Sequence, residues 1–218
     1  VSGTSATTFD PNATISRQDM AVMLYNYAQR YDVTLNEQTV TPFTDESAIA
    51  DYAQNIKNLD REHYERLLSS AKAYNETLFQ KSNRYHLSAE EAEEYNSLLD
   101  ISGTGIMGYI EIPKIKVSLP IYHGTRESVL SIAIGHIEGS SLPVGGESTH
   151  CVLSGHRGLP SAKLFSNLDK LSEEDTFLIR TLDEMLTYEV DQIRIVEPQE
   201  VSSLAIEEGK DYCTLVTC

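Results

Sequence analysis

The residues most suggestive of chemistry are a cysteine and a histidine that lie far apart in the sequence. Cys218 closes a β-rich run, residues 212–218, in which it follows Thr-Leu-Val-Thr, and His156 lies in the glycine-flanked turn at residues 154–158. A thiol is a useful nucleophile only as a thiolate, and a nearby imidazolium is one way to stabilise that anion. The two motifs therefore predict covalent catalysis, with Cys218 as the nucleophile and His156 as its partner.

The remaining cysteines and histidines are expected to be structural. Cys151 and Cys213 lie inside strand-like runs, which favours buried free thiols, and the cysteines are too few for a disulfide framework. Cys213 and Cys218 would point to opposite faces of one strand, so they are poor metal partners. Surface or hydrogen-bonded core positions are expected for three histidines: His123, His136 and His150. The sequence predicts no metal site and no cofactor.

The charge and composition exclude several classes of function. The net charge is −16 and both halves of the chain share it, which disfavours binding to nucleic-acid phosphates or to an anionic membrane surface. Hydrophobic residues make up 40% and charged residues 23% of the chain, as in ordinary globular proteins. No apolar run reaches the roughly 18–20 residues of a membrane helix. Val1 does not open a signal peptide.

The second half of the chain is rich in short strand-like runs. Alternating or β-branched segments predict strands at residues 107–112, 117–122, 150–154, 176–182, 185–190, 192–196 and 212–218. Short helices are expected at residues 127–133 and 162–168. Many short strands with few helices favour a closed barrel over a doubly wound sheet, within an α+β fold.

A helical connector precedes the strands. Apolar residues recur every three or four positions from Ile49 to Leu78, which predicts one long amphipathic helix or two helices end to end. Ser88 with Glu91 forms a candidate capping box for a further helix through Leu99. We expect three regions: residues 1–57, a helical linker at residues 58–104, and a barrel at residues 105–218.

Four motifs in fixed order carry a family resemblance. They are Gly-Ile-Met-Gly-Tyr-Ile-Glu-Ile-Pro-Lys-Ile from Gly105, Leu-Pro-Ile-Tyr-His-Gly from Leu119, Gly-His-Ile-Glu-Gly-Ser-Ser-Leu-Pro-Val-Gly-Gly from Gly135, and Leu-Ser-Gly-His-Arg-Gly-Leu-Pro from Leu153. With the cysteine motif they resemble a sortase, the cysteine transpeptidase of Gram-positive cell walls, and specifically a pilus-building class C sortase over about residues 60–218.

The resemblance implies a reaction and roles for two residues. Cys218 would attack the carbonyl after Thr in a Leu-Pro-x-Thr-Gly-like sorting signal and form a thioacyl enzyme. His156 would protonate the departing amine and deprotonate the incoming one. In class C enzymes that amine is a pilin lysine, so the partners would be LPxTG-type surface or pilin proteins and the product an isopeptide bond.

The resemblance also implies a last strand after the cysteine, which carries an oxyanion-stabilising arginine. None of the arginines in the barrel region matches it: Arg126, Arg157, Arg180 and Arg194. Arg157 adjoins His156 but is expected to be a solvated structural residue, since neighbours on an extended segment point apart. We therefore expect the chain as far as Cys218 to be a sortase barrel without its last strand, inactive by itself, and membrane segments only in a longer parent protein.

Class C sortases also have a helical appendage, which in many members supplies a lid with an Asp-Pro-aromatic motif. The chain has an Asp-Pro pair only at residues 10–11, outside the linker. A lid would therefore lie at residues 83–88, with Tyr85 as its plug.

The first region resembles a different family. Residues 9–21 are similar to the second half of an S-layer homology repeat, and residues 43–53 to the opening of the next, which implies a small all-α segment over about residues 1–57. In such repeats a Thr-Arg-Ala-Glu-like tetrapeptide binds an anionic secondary cell-wall polymer. Residues 16–19 read Ser-Arg-Gln-Asp here, which makes Arg17 a candidate anion-binding residue at a helix start. The alternative is an exposed helix residue.

These resemblances place the protein at the extracellular face of the membrane, or in the cell wall, of a Gram-positive bacterium. Two alternatives stay open. One is a wall-binding module with a non-functional sortase remnant, and the other is a sortase that anchors proteins to peptidoglycan rather than to pilins.

Overall fold

The strand that begins at Ile106 pairs with a neighbouring strand on each side within one seven-stranded sheet. The computed structural model describes residues 45–158 and 163–218. The expectations for Arg17 and most of the S-layer-like segment lie outside these residues. The helices are α1 (Asp45–Lys57), α2 (Arg61–Gln80), α3 (Ala89–Ser97) and α4 (Glu127–Leu130). The strands are β1 (Ile106–Ile112), β2 (Val117–His123), β3 (Ile134–His136), β4 (Thr149–Ser154), β5 (Thr176–Thr181), β6 (Glu184–Glu189) and β7 (Asp211–Val216).

These strands form one sheet in the order β6-β5-β1-β2-β3-β4-β7. The pairs β2–β3 and β4–β7 are parallel and the other pairs are antiparallel. The two edge strands meet at one point, where the Tyr188 hydroxyl of β6 donates to the Asp211 carboxylate of β7 at 2.9 Å. The sheet is thus a nearly closed barrel with helices at its amino-terminal side, and the predicted α+β barrel is confirmed.

The barrel encloses an aliphatic core in which large side chains are fully buried, among them Met107, Ile110, Ile112, Ile121, Ile134, Leu153, Phe165 and Ile179. Most strands contribute alternate residues to this core, for example Cys151 and Leu153 of β4 and Phe177 and Ile179 of β5. Burial of this apolar surface is the main favourable term for the barrel.

The predicted elements agree with the structure except at four places. Residues 192–196 form no strand, and the side chains of Ile193 and Ile195 are exposed. The short helix expected at residues 127–133 ends at Leu130, and a 3-10 turn at Leu168–Lys170 replaces the one expected at residues 162–168, of which 163–168 are described. The strand β3 was not predicted because its three residues are too few for an alternating pattern.

The connector is two helices rather than one. Asp60 interrupts it and caps α2, since its carboxylate accepts a hydrogen bond from the His63 N–H at 2.8 Å. Asn75 ties α2 to the barrel by donating to the Leu142 carbonyl and accepting from the Leu142 N–H. The capping box of Ser88 and Glu91 is present at the start of α3.

The helix α1 packs on the barrel, although the sequence analysis assigned it to the first region. Tyr52 is 1% exposed, and its hydroxyl donates to the Met107 carbonyl and accepts from the Leu182 N–H, both at 2.9 Å. The barrel unit accordingly begins at Asp45 and not after residue 57. None of the described helices is long and apolar enough to cross a membrane.

We expect Tyr52→Phe to destabilise the barrel unit by roughly 1–3 kcal/mol, because it leaves a buried carbonyl and a buried N–H without partners. Urea unfolding followed by circular dichroism measures the change in free energy. Tyr85→Phe is the matched control, since that hydroxyl is exposed and makes a long contact of 3.5 Å with the Leu204 carbonyl. Equal stability of Tyr52→Phe and the wild type would contradict the assignment of α1 to the barrel.

Candidate active site

The strands β4 and β7 bring the cysteine and the histidine of the sequence analysis to one end of the barrel. They run parallel and in register from Thr149 opposite Asp211 to Ser154 opposite Val216. The Gly155 N–H donates to the Val216 carbonyl at 3.1 Å, which continues the pairing beyond the strand ends. By this register, His156 is the counterpart of Cys218. Neighbouring strands lie about 4.8 Å apart, so the two backbones are adjacent here.

The same register separates the faces of the two strands. Cys151 lies opposite Cys213 and both contact the core. A residue that lies an odd number of positions from Cys151 or Cys213 along the same strand points to the other face. His156 and Cys218 are both of this kind, and Cys218 is exposed.

The backbone of His156 is held on both sides. Before it, a Cβ on Gly155 would lie 2.6 Å from Ile134 Cδ1 and 2.7 Å from Phe165 Cδ2, so the chain passes over these core side chains only because residue 155 is glycine. After it, the Phe165 N–H donates to the His156 carbonyl at 3.1 Å. The turn that carries the imidazole is therefore fixed to the core.

The His156 side chain is half-buried and faces an acidic residue. Its Nε2 lies 3.3 Å from Oε2 of Glu127, the first residue of α4. The imidazole side chain is 27% exposed and the Glu127 side chain 79%. No sequence pattern predicts the role of Glu127, because its partner His156 is distant in the sequence. A lone acidic residue at the start of a short helix carries no signal that could have identified it.

Accessibility distinguishes the three thiols. Burial raises the pKa of Cys213 well above its ordinary value, and the neighbouring Cys151 raises it further. Burial also raises the pKa of Cys151, whereas hydrogen bonds with Cys213 and His136 lower it to about 6. Cys151 is 2% exposed, however, so no peptide can reach its sulfur. Cys213 is half-buried and packs against the core, whereas Cys218 is exposed, so Cys218 is the thiol most accessible to a substrate.

The other histidines of the barrel have protein partners at both ring nitrogens. His136 contacts the Tyr95 hydroxyl and the Ser141 carbonyl. His150 contacts the Ala205 carbonyl and the Thr214 hydroxyl, and burial lowers the pKa of this histidine. His123 contacts two carbonyls, those of Gly105 and Leu98. These contacts fit the structural roles expected for the three residues.

The arginines of the barrel have local partners or surface positions. Arg157 pairs with Asp169 at 3.2 Å and Arg180 with Glu111 at 3.4 Å. Arg126 and Arg194 are exposed. The pairing of Arg157 fits the structural role expected for it.

The position of Tyr85 contradicts its expected role as a plug. The Tyr85 hydroxyl lies 3.5 Å from the Leu204 carbonyl, and the neighbouring Arg84 donates to the same oxygen at 2.6 Å. The next carbonyl, of Ala205, contacts His150 near the start of β4. His156 lies six residues further along, or roughly 20 Å at about 3.3 Å per residue. Tyr85 therefore lies near the opposite end of β4 from His156.

No group of acidic, histidine or cysteine side chains in the described ranges is arranged to hold a metal ion. The arrangement can instead support covalent chemistry, because an accessible thiol and a half-buried imidazole emerge from adjacent parallel strands.

Known proteins share this architecture. A family model of the sortase domain matches residues 110–218. Sortase D of Bacillus subtilis is 32% identical over 111 residues, which cover 51% of this chain and 53% of that protein. The chain thus matches about half the length of this curated relative.

Solved structures resemble a larger part of the chain. Sortase C1 of Streptococcus agalactiae has a TM-score of 0.76 and 53% identity over 79% of this chain and 89% of its own. Sortase C of Streptococcus pneumoniae, whose structure is described as informative on catalysis and pilin substrate specificity, has a TM-score of 0.71 and 41% identity over 79% of this chain and 87% of its own.

We expect Cys218 to react first with a thiol reagent in the folded chain. With Ellman's reagent, one thiol should react fast, and the other two should react on this timescale only in denaturant, because Cys151 and Cys213 contact the core. Cys218→Ala should remove the fast phase, and the control Cys213→Ala should keep it. A fast phase that survives in Cys218→Ala would contradict this site.

Proposed function

Because the chain belongs to the sortase family, we propose that it carries the catalytic site of a cysteine transpeptidase of the pilus-assembling class C. Its substrate is an LPxTG-like sorting signal, and its acceptor is the side-chain amine of a pilin lysine. The high identity to two class C structures over most of their length supports this class. The single observation that carries the proposal is the register that makes His156 the counterpart of Cys218.

In the first half-reaction, the Cys218 thiolate attacks the carbonyl carbon of the threonine in the sorting signal. A C–S bond forms, the Thr–Gly C–N bond breaks, and His156 as imidazolium gives a proton to the departing glycine amine. The product is a thioacyl enzyme with a neutral imidazole. We propose that both side chains face one cleft, which their shared face on β4 and β7 supports.

In the second half-reaction, the neutral imidazole takes a proton from the incoming lysine amine. The amine nitrogen attacks the thioester carbon, a C–N bond forms, and the C–S bond breaks. The electron pair returns to sulfur, so thiolate and imidazolium are both restored. The product is an isopeptide bond between the sorting signal and the pilin.

The oxyanion of each tetrahedral intermediate needs a hydrogen-bond donor. In a well-studied protease, loss of one such donor raises the activation free energy by roughly 3–4 kcal/mol. Arg157 and Arg180 are paired elsewhere, which supports an arginine from a strand after the cysteine as the donor.

The cell surface of a Gram-positive bacterium is the proposed place of action, since sorting signals are processed there. We also propose that the residues before Asp45 belong to an S-layer-homology-like segment in which Arg17 binds an anionic cell-wall polymer. Its support is the sequence resemblance alone, and Arg17 lies outside the described residues.

Cleavage of a fluorogenic Leu-Pro-x-Thr-Gly peptide tests the proposal. We expect activity in a version extended by one arginine-bearing strand, and little or none in the 218-residue chain. In the extended version, Cys218→Ala and His156→Ala should each lower kcat/KM by at least about 100-fold, since each removes a reacting group. His86→Ala is the matched control, because His86 is exposed and lies outside the barrel.

Undiminished activity after Cys218→Ala would refute the nucleophile, and full activity of the short chain would refute the need for a further strand. If neither version cleaves the peptide, the wall-binding module becomes the better account. If the extended version cleaves the peptide, competition between a lysine-bearing pilin peptide and a peptidoglycan-type glycine or diaminopimelate amine separates the two kinds of sortase. The pilin-assembling class predicts preference for the lysine peptide.

A further inference from the structure

Among the described residues, Glu127 alone forms an ion pair with the His156 imidazole. Its Oε2 lies 3.3 Å from His156 Nε2. The two residues are 29 positions apart in the sequence, so this contact results from the fold.

Backbone contacts between α4 and the barrel hold Glu127 near His156. At the end of β2, the Gly124 N–H donates to the buried Tyr95 hydroxyl at 3.1 Å. A Cβ on Gly135 in β3 would meet the Gly124 carbonyl and the Leu130 side chain, so α4 lies directly against β3. The strand β3 in turn pairs with β4, where Gly135 lies opposite Ser154. The start of α4 and the turn after β4 are therefore held on neighbouring elements.

The chemistry of the pair is that of an oriented imidazole. An ionised carboxylate only accepts hydrogen bonds, so Nε2 must carry a proton to bind Glu127. When one imidazole nitrogen donates a hydrogen bond to a carboxylate, the orientation of the ring is restricted, as in metal sites and catalytic triads. No partner other than Glu127 contacts the His156 ring nitrogens among the described residues.

We propose that Glu127 is a positioning residue for His156, which orients the imidazole toward Cys218 by accepting a hydrogen bond from Nε2. This inference rests on the proposed transpeptidase function. Glu127 touches neither the thiol nor the sorting signal in this role and acts only through His156.

The expected size of the effect is modest. The Glu127 side chain is 79% exposed, and exposed charge pairs are weakened by water and salt. Loss of the carboxylate should therefore lower kcat by about 3- to 10-fold and leave KM for the peptide nearly unchanged, far below the effect of removing the buried aspartate of a protease triad.

The test combines kinetics with a measurement that needs no activity. Glu127→Ala removes the acceptor, and Glu127→Gln keeps the shape and an amide oxygen but not the charge. Glu173→Ala is the matched control, an exposed carboxylate in the turn before β5. In the 218-residue chain, 13C relaxation of the His156 ring reports its mobility. In the extended version, peptide cleavage gives kcat and KM, with and without added formate.

We expect the His156 ring to be more mobile in Glu127→Ala, with the backbone amide shifts of α4 unchanged. Ring mobility should be intermediate in Glu127→Gln and unchanged in Glu173→Ala. Formate should restore part of the kcat of Glu127→Ala, which a merely structural loss would not allow. Unchanged ring mobility and kcat in both Glu127 variants would overturn the inference. If the wild type cleaves no peptide, the proposed function fails, and unchanged ring mobility would still refute the contact independently.

Discussion

The parallel pairing of β4 with β7 determines where His156 and Cys218, the proposed reactive residues, lie in this protein. The two strands come from distant parts of the chain, and their register runs from Thr149 opposite Asp211 to Ser154 opposite Val216. Because side chains alternate, the pairing directs Cys151 and Cys213 toward the core and gives His156 and Cys218 a common face. A slip of one residue would exchange these faces and move the imidazole away from the thiol.

Several contacts at the start of the two strands hold this register. The Asp211 carboxylate accepts hydrogen bonds from the Gly146 N–H, the Thr149 hydroxyl and the Tyr188 hydroxyl, so one side chain joins β7 to β4 and to β6. Next to it, His150 bridges to Thr214 on the partner strand. The bond between His150 and Thr214 is partly buried, so a change of register that left these groups without partners would be costly. These contacts thus lie at one end of the two strands, and the proposed reactive residues lie at the other.

The sequence predicted the local features of this arrangement and missed those that depend on distant contacts. Alternating runs located most strands, and the glycine-flanked histidine and the final cysteine predicted a site that remains a proposal. The assignment of α1 to the first region failed because the burial of Tyr52 depends on carbonyl and N–H groups of the barrel. Tyr85 as a plug and Glu127 as a partner of His156 are likewise decided by packing between elements, which no local pattern records.

Disulfide trapping tests the register most directly. In a chain with Cys151→Ala, Cys213→Ala and His156→Cys, the thiols at positions 156 and 218 should form an intramolecular disulfide under mild oxidation. In-register neighbours about 5 Å apart lie within the range that a disulfide spans. With Arg157→Cys in place of His156→Cys, the new thiol points to the other face and should not bridge. Efficient bridging from position 157, with none from position 156, would contradict the register on which this account depends.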